Sequence, residues 1–307
     1  MGFEKIGVVG CGLMGSGVIE TCAGKGFTVV AVKATDGDLD RARGRVEKSL
    51  EKRVAKGKLR AEERAAIFGR IQYTRDFAEL DDCDLVVEST VEELEQKTRI
   101  LQRIEAHLTN GCVLASNTSS LPLDALADRL KRPEQFLALH FFNPVPAMKL
   151  VELAATERTA PGCIEAARSF VRELGKTPVE VSASPGYVVN RLLVPYLLHA
   201  IETLESGVAD AGAIDEAMKL GCGHPMGPLA LSDLIGLDVV FAMARTLHDE
   251  LRDQRYRPPS LLRRLVLAGH LGQKAGRGIY DYRADEVTVN PAIDFARPMV
   301  AAASDAE

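Results

Sequence analysis

The stretch "GVVGCGLMG", residues 7–15, decides the fold of the first half of the chain. It places three glycines in the spacing G-x-G-x-x-G, between an apolar run and a run compatible with a helix. In a strand–turn–helix unit the first glycine permits a tight turn, the second lets the backbone approach a pyrophosphate, and the third lets the helix pack against the strand. The pattern predicts a dinucleotide-binding loop, and its alternative is a glycine-rich turn without a ligand. The loop residues expected to contact the cofactor are Gly10, Gly12, Leu13, Met14 and Gly15.

Short β-branched runs alternate with helical segments around this loop, as in buried parallel strands joined by crossover helices. The strand-like runs lie at residues 6–9, 28–32, 83–90, 112–117 and 136–142, with two further runs at 148–156 and 177–183. After "SPG" (184–186) the apolar residues change to a helical period. We therefore predict an α/β protein. Its Rossmann-like N-terminal domain, with a mostly parallel sheet, spans residues 1–184, and an all-α C-terminal domain spans residues 185–307.

The first helix of the C-terminal domain, beginning near Tyr187, is apolar over a wide arc. Its apolar residues are Val188, Val189, Leu192, Leu193, Tyr196, Leu197, Ala200, Ile201 and Leu204. Such a helix needs partners on more than one side, which favours a homodimer formed through this domain. The polar, Ala-rich tail after Met299 is expected to be frayed.

Composition excludes several classes of protein. The chain has 307 residues, 46% of them hydrophobic, which suffices for two domains with separate cores. A formal charge of −5 gives no overall attraction to nucleic acid or anionic membranes. Without a basic leader or an apolar run of roughly 18 residues, we expect a cytoplasmic protein. The six cysteines lack CxxC spacing and neighbouring histidines, so we expect core thiols and neither a metal site nor disulfides.

Polar residues directly after strands are the candidates for chemistry, because ligands of an open parallel sheet bind beyond the carboxyl ends of its strands. His140 ends one strand-like run, and an imidazole suits the proton transfer that accompanies hydride transfer from a secondary alcohol. Glu152, in "KLVEL", is the nearest carboxylate that could orient it; the alternatives are a core histidine and a surface glutamate. In "SNTSS" (116–120) we expect one of Ser119 and Ser120 to cap the next helix and the other to face the substrate.

Six motifs together resemble the L-3-hydroxyacyl-CoA dehydrogenase family, near its short-chain 3-hydroxybutyryl-CoA members. They are "GxGxMG", "ASNTSSL", "HFFNPVPxMKLVEL", "PGxxxNRLL", "HPMGPLxLxDxIGLD" and "GxKxGxGxYDY", in order between Ile6 and Tyr282. The resemblance implies a Rossmann-like domain, a dimerising helical domain, and reversible NAD-linked oxidation of a 3-hydroxyacyl thioester.

The resemblance also implies roles for single residues. His140 is similar to the catalytic base, Glu152 to its carboxylate partner, and Ser119 to the hydroxyl near the 3-oxygen of the substrate. Asn190 is similar to the amide that polarises the substrate. The residues at the family's nicotinamide-cofactor positions are Glu92, Lys97, Asn143 and Lys274.

A basic stretch at residues 41–60 carries nine Lys or Arg against two Glu in a chain that is acidic overall. One interpretation is a solvated helix face. The other is a contact with the phosphorylated nucleotide end of coenzyme A, for which point cations on a helix are suited. The resemblance places Ser49 and Lys56 at the substrate-binding positions for coenzyme A.

The residue after the second strand bears on the choice of cofactor. A carboxylate at this position binds the adenosine ribose of NAD and repels the 2′-phosphate of NADP, but this chain has Lys33. Asp36 or Asp38 could instead reach the ribose, which would leave Lys33 a bystander. The sequence therefore predicts NAD or NADP without deciding between them.

Two other functions compete with an acyl-CoA dehydrogenase. A related dehydrogenase of a free hydroxy acid or sugar acid, such as L-gulonate, would have no use for the basic stretch. A dinucleotide-binding structural protein without catalysis would have no need of Ser119, His140, Glu152 and Asn190 together.

Overall fold

The computed structural model describes residues 3–293, and the chain divides into two compact units. The first unit ends at Tyr187 and the second begins at Val188. The tail after Met299, expected to be frayed, lies outside the described residues. Each unit has its own apolar core.

The first unit contains an eight-stranded sheet with helices on its faces. Its strands are β1 (Lys5–Val9), β2 (Thr28–Val32), β3 (Ile71–Thr74), β4 (Leu85–Glu88), β5 (Val113–Ser116), β6 (Phe136–Phe141), β7 (Leu150–Ala155) and β8 (Thr177–Ser182). Its helices are α1 (Leu13–Gly24), α2 (Leu39–Ala55), α3 (Ala61–Gly69), α4 (Leu94–Glu105), α5 (Leu123–Ala127) and α6 (Pro161–Glu173).

The order of the strands is β3-β2-β1-β4-β5-β6-β7-β8. Neighbouring strands are parallel except β6 and β7, which are antiparallel. The strand order reverses between β1 and β4, so a crevice opens beyond the carboxyl ends of these two strands. The sheet confirms the predicted Rossmann-like, mostly parallel architecture.

The strands between the two edge strands of the sheet are buried on both faces, which explains why they are apolar without alternation. On β2, for example, Val29 and Ala31 belong to one core cluster, whereas Val30 and Val32 belong to another. These clusters lie on opposite faces, because successive side chains of a strand point in opposite directions.

Two features of the first unit differ from the sequence analysis. Strand β3, with the sequence IQYT, was not expected, because it is short, half-buried and at the sheet edge, where a continuous apolar run is unnecessary. The cysteines were expected to be core residues, and five are buried; Cys222, at the end of a helix in the second unit, is exposed.

The second unit is helical, with a small hairpin that the all-α prediction did not include. Its helices are α7 (Val189–Glu205), α8 (Ala211–Cys222), α9 (Pro228–Ile235), α10 (Leu237–Leu251) and α11 (Ser260–Leu267). Its antiparallel strands are β9 (Tyr280–Asp281) and β10 (Thr288–Val289). The inward residues of α7 are fully buried in this unit's core, among them Val194, Leu197 and Ile201, whereas Leu192 remains 69% exposed.

A buried carboxylate explains the closing motif "GxGxYDY". Asp233 of α9 accepts hydrogen bonds from the backbone N–H groups of Ile279 and Tyr280 and from the Tyr282 hydroxyl. Burial raises the pKa of Asp233 even though these donors oppose the shift. A Cβ atom at Gly278 would lie 2.0 Å from the carboxylate, so the motif needs glycine there.

No helix within residues 3–293 combines the length and the apolar character needed to cross a bilayer. Across the same residues, His, Cys, Asp and Glu side chains form no group of three or more that could hold a metal ion.

Candidate active site

The glycine loop between β1 and α1 has the shape that a pyrophosphate requires. Gly10 has φ +107°, and a Cβ at Gly15 would lie 1.7 Å from the Gly10 carbonyl oxygen, so both positions require glycine. A Cβ at Gly12 would meet nothing within 4 Å, so the backbone there borders open space. Gly12 precedes α1 without a side-chain cap, which leaves the first N–H groups of the helix for an anion. These residues therefore fit the pyrophosphate of a dinucleotide.

His140 and Glu152 form a buried pair at the end of β6. The imidazole Nδ1 lies 2.7 Å from Glu152 Oε2, and the two side chains are 8% and 1% exposed. They are direct partners in the antiparallel register of β6 and β7, which places both side chains on one face of the sheet. The surface alternative for Glu152 is therefore excluded.

Two aromatic rings pack against the imidazole of His140. The Phe142 ring centroid lies 4.5 Å from it and the Tyr187 centroid 5.4 Å from it. Together with the bond to Glu152, these contacts restrict the orientation of the imidazole. The hydroxyl of Tyr187 is buried and has no hydrogen-bond partner within residues 3–293, and burial raises the pKa of this phenol.

Glu92 accepts several hydrogen bonds from the "SNTSS" loop. One of its oxygens accepts hydrogen bonds from the Thr118 hydroxyl and from the backbone N–H groups of Ser119 and Ser120, at 2.7 to 3.0 Å. The Ser119 and Ser120 hydroxyls lie 3.2 Å from the same oxygen. Burial raises the pKa of Glu92, but the charge of Lys97 and the serine N–H groups outweigh it and hold the pKa below its ordinary value.

The expectation that one serine caps the following helix is wrong. Helix α5 has Pro122 at its N-cap and no side-chain cap. Both serine hydroxyls instead donate to Glu92, an ionised acceptor that forms a stronger hydrogen bond than a neutral group does.

A second carboxylate, Glu88, was missed by the sequence analysis. It ends β4, is completely buried, and contacts the Lys97 ammonium with both oxygens at 2.9 and 3.0 Å. It also accepts hydrogen bonds from Ser116 and from the backbone and hydroxyl of Thr90. The ammonium of Lys97 lies 3.5 Å from Glu92 as well, so one lysine bridges two carboxylates. The sequence did contain a signal for Glu88, namely a charged residue at the end of the apolar run "LVVE". A polar residue at the end of a strand-like run was also the signal that identified His140.

Asn117 joins the ends of the central strands. Its side-chain oxygen accepts from the backbone N–H of Phe141, at the end of β6, and its amide donates to the Ser89 hydroxyl, beyond β4. Hydrogen bonds therefore connect the polar residues that follow β4, β5 and β6, along the side of the sheet where these strands have their carboxyl ends. Asn143, expected at the cofactor, lies exposed just beyond these strand ends.

Lys33 follows β2, as expected, and its ammonium is held by its own loop. It donates to the carbonyl oxygens of Thr35 and Asp36 and to the Thr35 hydroxyl at 3.0 to 3.2 Å. Asp38 caps α2 through the backbone N–H of Asp40. Of the two aspartates that could reach a ribose, Asp38 thus already has a structural role.

Most of the basic stretch lies on α2. Ser49 is half-buried on this helix, and Lys56 is exposed directly after it. Seven residues separate the two, so they lie on the same side of the helix. Arg45 donates to the carbonyl oxygen of Cys11 at 2.8 Å, which ties α2 to the phosphate loop, a contact that the sequence did not indicate.

Two expected site residues belong to the second unit. Asn190 lies in the first turn of α7. Lys274 lies in a short turn before β9, and its ammonium pairs with Asp238 of α10 at 2.6 Å.

The chain matches two profiles of known protein domains. The profile described as 3-hydroxyacyl-CoA dehydrogenase, NAD binding domain, matches residues 5–184, and the corresponding C-terminal domain profile matches residues 186–282. The chain belongs to the 3-hydroxyacyl-CoA dehydrogenase family. This membership confirms the resemblance found in the sequence and makes the chain an oxidoreductase with an NAD-binding domain.

Relatives in this family are similar over nearly the whole chain. The probable 3-hydroxybutyryl-CoA dehydrogenase of Deinococcus radiodurans is 45% identical over 278 residues, which cover 91% of this chain and 100% of that protein. The mitochondrial hydroxyacyl-coenzyme A dehydrogenase of Sus scrofa is 39% identical, with 91% of each chain covered. The crystal structure of FadB2 from M. tuberculosis superposes with a TM-score of 0.89 at 43% identity, covering 92% of this chain and 100% of that one.

Proposed function

We propose that the chain catalyses the reversible oxidation of a short-chain L-3-hydroxyacyl-CoA, in particular 3-hydroxybutyryl-CoA, to the 3-ketoacyl-CoA. The observation that carries this proposal is the buried His140–Glu152 pair, which ends a strand of the same sheet whose β1 leads into the phosphate loop. The names of the family's relatives support the substrate class. NAD, when bound, supplies the hydride acceptor.

His140 acts as the general base. Its Nδ1 is engaged by Glu152, so the proton of the substrate hydroxyl passes to Nε2 during oxidation and returns from it during reduction. Glu152 stabilises the imidazolium that forms and keeps the ring in the orientation in which Nε2 faces the substrate. Phe142 and Tyr187 restrict the same ring by packing.

Ser119 places its hydroxyl near the 3-oxygen of the substrate, and Glu92 positions it, because the Ser119 N–H and hydroxyl both donate to that carboxylate. Asn190 polarises the substrate carbonyl with its amide. Glu92, Asn143 and Lys274 contact the nicotinamide cofactor. Lys97, also expected at the cofactor, is completely buried and supports that contact through Glu92, 3.5 Å from its ammonium. The family resemblance supports all of these roles.

The cations of α2 bind the nucleotide end of coenzyme A, with Ser49 and Lys56 as the contacts that the resemblance favours. Cation–phosphate attraction of this kind is screened by salt, so it lowers KM most at low ionic strength. A substrate without the nucleotide gains nothing from these residues.

For the cofactor, we propose that Lys33 relaxes the preference for NAD and admits NADP. The Lys33 ammonium already donates hydrogen bonds to three oxygens of its own loop. A bound 2′-phosphate would replace these neutral acceptors with a charged one. The family's NAD-binding domain supports NAD as the first cofactor to test.

We further propose a homodimer formed through the second unit and a cytoplasmic location. The exposed Leu192 on α7 supports an apolar contact between subunits. The six cysteines are free thiols, which suits a reducing compartment.

A steady-state assay tests the proposed function. Oxidation of NADH and of NADPH is followed with acetoacetyl-CoA, with longer 3-ketoacyl-CoA thioesters, and with free acetoacetate. We expect the highest kcat/KM for acetoacetyl-CoA with NADH, and a value for free acetoacetate lower by at least about 100-fold, since binding energy of the remote nucleotide contributes to the transition state. Equal activity on the free acid would overturn the assignment.

A further inference from the structure

Glu88, Glu92 and Lys97 form a charged cluster at the carboxyl end of the central strand β4. Glu88 and Lys97 are completely buried, and the lysine ammonium lies within 3.5 Å of both carboxylates. The groups around Glu88 are all able to donate: the Lys97 ammonium, the Thr90 N–H and hydroxyl, and the Ser116 hydroxyl. Hydrogen-bond donors therefore contact both carboxylate oxygens of Glu88. Two carboxylates and one ammonium leave the cluster with one net negative charge.

The topology places this cluster between the phosphate loop and His140. Glu88 lies in register between Val9 of β1 and Ser116 of β5, and β6 with His140 is the next strand. Strands are about 4.8 Å apart, so roughly 14 Å separate the end of β1 from the end of β6. A dinucleotide anchored after β1 must extend over β4 and β5 to bring its nicotinamide to a substrate held at His140.

The two redox states of nicotinamide differ in charge. The oxidised ring carries a formal positive charge, and it becomes neutral when it accepts the hydride from the substrate carbon. A buried negative charge beside the ring attracts the oxidised state and has little effect on the reduced state. Because Glu88 and Lys97 are completely buried, counterions screen their charges weakly, whereas the partly exposed Glu92 is screened more.

We propose that Glu88, through the net negative charge it gives the Glu88–Glu92–Lys97 cluster, makes the site favour oxidised over reduced nicotinamide. Glu88 is thus a positioning and charge-setting residue that acts beneath the cofactor and through Lys97. The inference rests on the proposed function, since it requires the nicotinamide to lie beside this cluster.

The substitution Glu88→Gln tests the charge with little change in shape. The glutamine oxygen can keep the Thr90 bonds and one of the two Lys97 contacts, and the amide nitrogen can donate to the Ser116 hydroxyl, which then accepts. The second Lys97 contact is lost, because the amide nitrogen and the ammonium are both donors. Ser116→Ala is the matched control, because it removes a hydrogen bond from the same carboxylate and keeps its charge. Glu92→Gln is a second charge-removing variant at a partly exposed position, should Glu88→Gln not fold.

Dissociation constants are measured without turnover, for NADH from its own fluorescence on binding and for NAD⁺ by displacement of NADH. We expect Glu88→Gln and Glu92→Gln to raise the ratio of the NAD⁺ constant to the NADH constant by about tenfold or more, and Ser116→Ala to leave it within about twofold. An unchanged ratio in folded Glu88→Gln or Glu92→Gln would overturn the inference and leave the proposed function intact. Failure of the wild-type protein to bind NADH would instead overturn the proposed function.

Discussion

His140 and Glu152 face each other across the antiparallel pair β6–β7, with the imidazole Nδ1 2.7 Å from the carboxylate. They are twelve positions apart in sequence, which is the length of chain needed to complete β6, turn, and return along β7 to the position opposite His140. The proposed base and its proposed orienting carboxylate are therefore fixed by sheet register, and both lie on a rigid scaffold.

Glu152→Gln should lower kcat by about tenfold or more while the fold is retained, because the neutral amide no longer stabilises the imidazolium. The loss should persist across the pH range in which the wild-type enzyme is active. Turnover of acetoacetyl-CoA at saturating cofactor is the measurement. Glu157→Gln, which removes an exposed charge just beyond β7, is the matched control and should be neutral. Equal turnover of the two variants at every pH would remove Glu152 from the mechanism.

Glu92 should stabilise the fold in a pH-dependent way. Its pKa in the folded protein lies below the ordinary value of 4.5, so the unfolded chain binds the proton first as the pH falls. The stabilisation is complete well above pH 4.5 and is lost as the pH falls through 4.5 toward the folded value. We expect Glu92→Gln to lower the free energy of unfolding by about 1 kcal/mol at pH 7 and by less at pH 4. The value at pH 7 is small because solvent screens the partly exposed carboxylate.

Urea unfolding of wild type and Glu92→Gln between pH 7 and pH 4 measures this difference, with Glu157→Gln as an exposed control. A difference that grows toward acid would have the opposite sign and would contradict the account.

Tyr187→Phe should leave the protein at least as stable as the wild type. The Tyr187 hydroxyl is buried without a hydrogen-bond partner in the described part of the chain, and a buried unsatisfied group costs about 1 kcal/mol or more. The phenylalanine ring retains the packing against His140. Thermal unfolding should give an unchanged Tm or one raised by about 2 °C. A Tm lowered by several degrees would mean that the hydroxyl does stabilise the fold.

Lys33→Asp should move the ratio of NADH to NADPH efficiency toward NADH by at least about tenfold, since a carboxylate there accepts from the ribose and repels a 2′-phosphate. Values of kcat/KM for both cofactors are compared in the wild type, in Lys33→Asp and in Lys131→Asp, an exposed lysine with the same charge change. If Lys131→Asp has the same effect as Lys33→Asp, or if neither changes the ratio, Lys33 does not determine the choice between NADH and NADPH.

The sequence predicted the parts of the fold that follow from local pattern. The runs ending at Val9, Val32 and Phe141 were identifiable because strands buried on both faces are continuously apolar. Strand β3 was missed because an edge strand needs no such run.

Contacts that depend on tertiary structure were harder to predict. Glu88 and Lys97 are nine residues apart, yet their pairing requires the strand–loop–helix geometry that brings α4 back over β4. One of the two serines was assigned to a helix cap, because local sequence does not reveal that both donate to Glu92, over 25 residues away. His140 and Glu152 were paired correctly because a polar residue in a buried strand is itself an exception to the pattern.

The central claim is that His140 transfers the proton in NAD-linked oxidation and reduction at the 3-position of an acyl-CoA. Its most direct test compares wild type and His140→Ala in the rate of NADH oxidation by saturating acetoacetyl-CoA, with the NADH dissociation constant measured on the same preparations. We predict that the variant binds NADH within about twofold of wild type and loses turnover by about 100 to 10,000-fold. A variant that binds NADH normally and keeps more than about a tenth of wild-type turnover would contradict the claim.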